Sequence, residues 1–190
     1  QQQVLDEYLQ NRLSEAEFLK AVGWGGANFD HYREQILFPL QAGGTTYALN
    51  APRSLSGKIS KSGLGSLTPE ETKLLPPGFT RGNDAYFERF KAIMGGHVPE
   101  AALERYFLAQ SLWDDTMAWQ SATAIAVDPE QVFVIVVGEF HVQYGGGLPD
   151  RLRARGVTEI LTISQLNLKG LTPAEVDGET LPTGPYGARA

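Results

Sequence analysis

The chain has 190 residues, 42% of them hydrophobic, and a net charge of −6 at pH 7, which is typical of one soluble-type globular domain. The acidic balance argues against a nucleic-acid groove, and the one dense basic run, the arginines at 151, 153 and 155, fits a solvated helix face. No apolar run approaches the roughly 20 residues of a transmembrane segment. The absence of cysteine excludes disulfides, thiolate catalysis and sulfur-ligated zinc. We therefore expect a single domain over residues 1–190.

The first 50 residues predict helices followed by a strand. Apolar residues recur at helical spacing over 4–9 and 14–22, and Ser14 followed by Glu17 is a capping-box pattern. Gly23 ends the second helix, and a third is predicted from about 28 to 40. Residues 45–49 then have the pattern of a short buried strand, which ends at Asn50.

The middle of the chain has the pattern of several short helices followed by one long helix. Residues 54–98 are rich in proline and glycine, with a helix start at Thr68 and Pro69 and a helix over 84–94, so we expect a helical insertion at about 54–98. Pro99 opens a long helix that reaches about residue 126 and stops before Pro129.

The last third predicts a β-α-β unit. Residues 131–137 are apolar after the first position, as in strands covered on both faces, and 158–163 have the pattern of the next strand. The helix between them begins at Pro149 and ends at Gly156. Strands joined in this way are parallel with a right-handed crossover. The predicted fold class is therefore α/β, a mainly parallel central sheet flanked by helices.

Polar residues follow two of the predicted strands. Asn50 and Arg53 follow the first, and Glu139, His141 and Tyr144 follow the strand at 131–137. Because ligands of an open parallel sheet bind beyond the carboxyl ends of its strands, these five residues predict one site.

His141 and Tyr144 are the chemically versatile members of this group. Imidazole ligates metals or acts as a general base, and a phenolate ligates ferric haem iron in catalase. A buried histidine bonded to backbone and a packed tyrosine are the structural alternatives. The glycines at 145–147 match no nucleotide motif and indicate close approach by another chain segment or by a flat ligand. His97, in a loop before the long helix, is either an exposed loop residue or part of a loop that folds over a ligand.

The long helix carries Gln110 and Asp114 on one stripe, and neighbouring tryptophans predict that this helix is buried. A buried carboxylate needs a partner. Asp114 is expected to hold His141, to coordinate a metal, to pair with Arg53, or to form another structural salt bridge. The sequence leaves these alternatives open.

Five motifs, in this order and spacing, resemble the ChaN-like haem-binding family of the Tiki superfamily. They are Leu-Asp-Glu-Tyr-Leu at 5–9, Leu-Ser-Glu-Ala-Glu-Phe-Leu at 13–19 with Gly-Trp at 23–24, Ala-Leu-Asn-Ala-Pro-Arg at 48–53, Ala-Gln-Ser-Leu-Trp-Asp-Asp-Thr-Met-Ala at 109–118, and Val-Gly-Glu-Phe-His at 137–141 with Tyr-Gly at 144–145.

The resemblance implies an α/β fold, haem as the ligand, and a bacterial iron or haem uptake protein of the cell envelope, in the periplasm or as an outer-membrane lipoprotein. In the family a tyrosine and an assisting histidine hold haem between two protomers, which implies a haem-bridged homodimer. These roles fall on Tyr144 and His141, with His97 as the competing histidine. Arg53 and Arg151 are expected near the haem propionates.

The superfamily has paired Gly-x-x-His motifs, and residues 138–141 fit the second one. The family usually begins with a strand and a Gly-Glu-x-His motif, and this sequence starts after that point. The alternative function is a metal-dependent hydrolase of the Tiki or erythromycin-esterase-like type. It would hold a divalent metal through His141, Glu139 and Asp114. We favour a ligand-binding protein over an enzyme.

Overall fold

The computed structural model describes residues 1–165, 167–180, 183–184 and 187–188. It divides into two compact units, Gln1–Leu49 and Asn50–Ala190. The expectation of a single domain over residues 1–190 stays a prediction.

Helices dominate the described part of the chain. They are α1 (Gln2–Leu9), α2 (Glu15–Val22), α3 (Arg33–Gln41), α4 (Arg53–Ser62), α5 (Pro69–Thr72), α6 (Asp84–Met94), α7 (Glu100–Val127), α8 (Leu148–Ala154) and α9 (Pro173–Thr180). Three short 3-10 turns accompany them, at Phe29–His31, Leu64–Ser66 and Glu139–His141. No helix in these described ranges is both long and apolar enough to cross a membrane.

The first unit packs α1 and α2 around three buried side chains, Leu5, Phe18 and Phe29. The predicted capping box is present: the Ser14 hydroxyl accepts from the backbone N–H of Glu17, and the Glu17 carboxylate accepts from the backbone N–H of Ser14. This reciprocal pair satisfies two donors that a helix start leaves without an intrahelical partner.

The second unit is built on α7. Leu55 and Ile59 of α4 are buried against Leu112 of α7. Phe90 of α6 is buried against Phe107 of α7. Phe107 precedes Leu112 by five residues on the same helix. The buried residues of α7 lie between Ala102 and Ser121, and they include polar side chains as well as apolar ones.

The predicted α/β fold class is wrong. Strand pairing among the described residues is limited to β1 (Thr183–Gly184) with β2 (Gly187–Ala188) and an isolated bridge between Gly95 and Val98. The segments predicted as strands at 131–137 and 158–163 have no regular secondary structure and join no ladder. A strand in a sheet needs a second extended segment about 4.8 Å away. An apolar run indicates only that its own residues favour a strand, and it does not supply the second segment. The side chains of Val132, Val134 and Val136 are accordingly 91%, 76% and 58% exposed.

The predicted strand at 45–49 also lies outside any ladder. Its backbone is bonded instead by one side chain: the Gln2 amide oxygen accepts from Ala48 N–H at 2.8 Å, and its nitrogen donates to the carbonyl of Thr46 at 3.1 Å. A side-chain amide here takes the place of a neighbouring strand.

Residues 54–98 are helical, but they do not form an insertion into a sheet. They contain most of α4 and all of α5 and α6, and both α4 and α6 pack on α7 as parts of the core. The prolines and glycines of this segment lie mainly between its helices, and the helices themselves belong to the core.

Candidate functional site

The candidate site starts from two polar side chains inside the protein. Gln110 and Asp114 lie four residues apart on α7, one above the other on the buried side of the helix. The side chain of Asp114 is 0% exposed. A carboxylate withdrawn from water in this way needs hydrogen-bond donors.

His141 supplies one of these donors. Its Nδ1 lies 2.6 Å from Asp114 Oδ1, and its side chain is 17% exposed. A carboxylate oxygen this close requires a proton between the two atoms, so we place the histidine proton on Nδ1. The other ring nitrogen, Nε2, makes no hydrogen bond to the described residues. It is left free to bind a ligand.

Tyr86 of α6 supplies the second donor. Its hydroxyl donates to Asp114 Oδ2 at 2.9 Å and accepts from Gln110 Nε2 at 3.0 Å. Burial, followed by the negative charge of Asp114, raises the pKa of Tyr86 above its usual range. Tyr86 therefore remains a neutral phenol, and both oxygens of Asp114 act as acceptors. Gln110 Nε2 also lies 3.1 Å from His141 Nδ1, but both atoms are donors in this tautomer, so Gln110 joins the network through the Tyr86 hydroxyl.

Arg89 holds the turn that carries His141. It is 2% exposed, and its Nη2 donates to the carbonyl of Phe140 at 2.7 Å. The guanidinium lies over three rings, with its central carbon 4.9 Å from the ring centroid of Tyr86, 4.5 Å from Phe140 and 5.5 Å from Tyr144. Burial lowers the pKa of Arg89. Stacking of this kind stabilises a partly desolvated cation, so Arg89 joins α6 to the loop at 140–144.

The glycines at 145–147 allow this loop to approach α6. Tyr144, Gly145 and Gly146 all have left-handed backbones, with φ of 62°, 71° and 79°. A Cβ on Gly146 would lie 2.6 Å from the Cβ of Tyr86, and a Cβ on Gly147 would lie 2.4 Å from the carbonyl oxygen of His141. The sequence indicated close approach by a chain segment or by a flat ligand, and in the structure a chain segment makes the approach.

The remaining predicted residues lie outside this network. Asn50 bonds the backbone N–H of Ala51, and Arg53 is exposed at the first turn of α4. His97 is exposed in its loop. Glu139 bonds Ser164 and Gln143 rather than facing Asp114.

Arg151 is likewise engaged elsewhere. Its guanidinium lies 3.5 Å from Asp115 and donates to the carbonyl of Thr80. Within the described residues there is no group of three histidine or acidic side chains that could hold a metal ion. Glu139 bonds Ser164 and Gln143, and Asp114 bonds Nδ1 of His141. The metal set His141, Glu139 and Asp114 stays a prediction.

Sequence reasoning reached part of the network. The contact of Asp114 with His141 was one of its open alternatives, whereas Tyr86 and Arg89 were missed. Their signal is a polar pair three residues apart inside the aromatic helix 84–94, which places both on one face. That pattern does not reveal which neighbour the face contacts.

Histidines that ligate a metal almost always donate their other ring N–H to a carboxylate, a backbone carbonyl or water, and His141 makes such a bond to Asp114. The chain belongs to the haem-binding uptake family of the Tiki superfamily (ChaN), whose model matches residues 1–152. This range includes every residue of the network around His141, and it confirms the resemblance drawn from the motifs. No curated protein and no solved structure matches the chain.

Proposed function

We propose that the chain binds haem at His141, with Nε2 as the iron ligand and Tyr144 as the second member of a Tyr/His pair. The observation that supports this assignment is the 2.6 Å bond between His141 Nδ1 and Asp114. It fixes the tautomer whose free lone pair is on Nε2, the atom with no bond to the described residues. Family membership supports haem as the ligand.

The donor set fits haem. Imidazole nitrogen and phenol oxygen are both axial ligands of haem iron, and bound haem would supply a redox-active iron centre. The aromatic rings near the histidine suit a flat macrocycle: the ring centroid of Trp113 lies 6.4 Å from that of His141. Arg53, exposed at the start of α4, is the proposed partner of a propionate.

The biological role proposed here is haem or iron uptake at the bacterial cell envelope by binding rather than catalysis. The haem-bridged homodimer is part of this proposal. It predicts that sedimentation of the haem-loaded protein gives twice the mass of the haem-free chain.

Titration with ferric haem tests the proposal. The wild-type chain should give a saturable shift of the Soret band, and His141→Ala should lower the affinity at least about tenfold, the usual range for ligand-shell changes. The chain has three histidines. His31→Ala, an exposed residue of the first unit, is the matched control and should leave the affinity unchanged.

Two further variants make the test specific. His97→Ala should bind haem like the wild type, and Tyr144→Phe should change the spectrum because it removes a phenol oxygen. Absence of a Soret shift with the wild-type chain refutes haem binding. Unchanged affinity in His141→Ala, or a loss confined to His97→Ala, refutes the assignment to His141.

A further inference from the structure

Asp114 places a negative charge directly behind the imidazole of His141, inside the protein. It is fully buried, and its carboxylate accepts hydrogen bonds from His141 at 2.6 Å and from Tyr86 at 2.9 Å. The neighbouring acid, Asp115, differs in this respect because Arg155 approaches it to 2.7 Å. Among the described residues no guanidinium lies within salt-bridge distance of Asp114, and the buried Arg89 acts on its charge only from farther away. The hydrogen bond at 2.6 Å therefore makes His141 the side chain that the charge of Asp114 affects most directly.

We propose that Asp114 makes this site select ferric over ferrous haem, by drawing the Nδ1 proton of His141 toward its carboxylate. The inference rests on the proposed haem site. A carboxylate that accepts from one imidazole nitrogen raises the electron density on the other, and this second bond tunes the bound metal. Hydrogen bonding behind the axial ligand is one of the protein's means of setting a haem potential.

Charge explains the direction of the effect. The ferric iron–porphyrin core carries one more positive charge than the ferrous core. An electron-rich Nε2 and a nearby carboxylate therefore stabilise the ferric form more than the ferrous form. The conversion adds one electron, which an electrode supplies, and the imidazole proton stays on Nδ1.

The surroundings of Asp114 strengthen this effect. Electrostatic interactions are stronger where water is excluded, and Asp114 and Tyr86 are both fully buried. The hydroxyl of Tyr86, at 2.9 Å from Oδ2, withdraws part of the carboxylate charge. Tyr86 therefore opposes the effect on His141, and its removal should increase the ferric preference.

The experiment measures the midpoint potential of the haem-loaded chain by spectroelectrochemistry. Asp114→Asn keeps the shape and removes the charge. We expect the ratio of ferric to ferrous affinity to fall about tenfold, which raises the potential by about 59 mV for one electron. Asp115→Asn is the matched control, since it removes the adjacent buried acid without touching His141, and its potential should equal that of the wild type.

Tyr86→Phe keeps the carboxylate and should move the potential in the opposite direction, to lower values. This variant tests the inference even if Asp114→Asn folds poorly. Unchanged potentials in Asp114→Asn and Tyr86→Phe, with haem bound in both, overturn the role of Asp114 and leave the haem site intact. Equal shifts in Asp114→Asn and Asp115→Asn also overturn it. Failure of the wild-type chain to bind haem refutes the proposed function instead.

Discussion

Replacing Gly147 with alanine should damage the site through a single steric contact. A Cβ at this position would lie 2.4 Å from the carbonyl oxygen of His141, whereas Cβ contacts under 3.0 Å are essentially never seen. The two segments must separate by at least about 0.6 Å. The atom in the way is backbone, so no side-chain rotation relieves the clash. Overpacking of this kind costs about 1–3 kcal/mol of unfolding free energy.

The same shift should weaken ligand binding. It moves the turn that carries His141, and a displacement of about 0.6 Å away from Asp114 would lengthen the 2.6 Å bond to about 3.2 Å, the upper end of the range for N–H···O hydrogen bonds. We expect ferric haem affinity to fall by about 10- to 100-fold, the usual cost of disturbing the partner of a ligating histidine.

Gly57→Ala is the matched control, because the same chemical change has the opposite effect there. Gly57 lies inside α4, and a Cβ at this position meets nothing within 4 Å. Alanine is better than glycine in a helix by about 1 kcal/mol. This variant should be more stable than the wild type and should bind haem with unchanged affinity.

Urea unfolding followed by circular dichroism measures the stability of both variants, and Soret titration measures their affinity for haem. The reasoning is refuted if Gly147→Ala is as stable as the wild type and binds haem equally well. It is also refuted if Gly57→Ala is destabilised as much as Gly147→Ala.

Three further changes test other parts of the structure. Arg89→Met should cost about 1–3 kcal/mol in urea unfolding, because the partly buried carbonyl of Phe140 loses its donor and the ring stacking is lost. Arg89→Lys should not restore the wild-type stability, since lysine does not stack on rings as a guanidinium does. Ser14→Ala should cost about 1 kcal/mol and lower the melting temperature, while Ser14→Asp, which still caps the helix, should cost little. A hydrogen bond from Lys58, followed by one from backbone, holds the pKa of Glu71 below its usual 4.5. The folded protein therefore gains stability from ionised Glu71 above pH 4.5 and loses it as the pH falls through the lowered pKa. Unfolding midpoints of Glu71→Gln and wild type should differ at neutral pH and converge in acid.

Helices were predictable because their signals are local. The capping box at Ser14 marks the start of α2, and the left-handed glycine at residue 23 marks its end. Each signal involves only a few consecutive residues. The helix predicted over 84–94 is α6, and the one predicted over 99–126 is α7 at Glu100–Val127. Each of these limits depends on residues that are neighbours in the chain.

Whether the apolar segments pair into a sheet was not predictable in the same way. The apolar run at 131–137 favours an extended backbone, but these residues form no regular secondary structure. Pairing with another strand depends on a second segment lying alongside, which no local pattern determines. The α/β prediction is wrong because the predicted strands do not pair. Without a sheet, there is no shared edge at which Asn50, Arg53 and His141 would meet.

The sequence by itself determined the helix limits, the family, and a short set of candidate groups that contained both His141 and Asp114. The tertiary structure alone decided that these two are bonded, that Tyr86 and Gln110 complete their network, and that Arg89 holds the turn beside them. The reason is distance along the chain: 27 residues separate Asp114 from His141, and only the packing of α6 and the glycine loop on α7 brings their polar atoms within reach of one another.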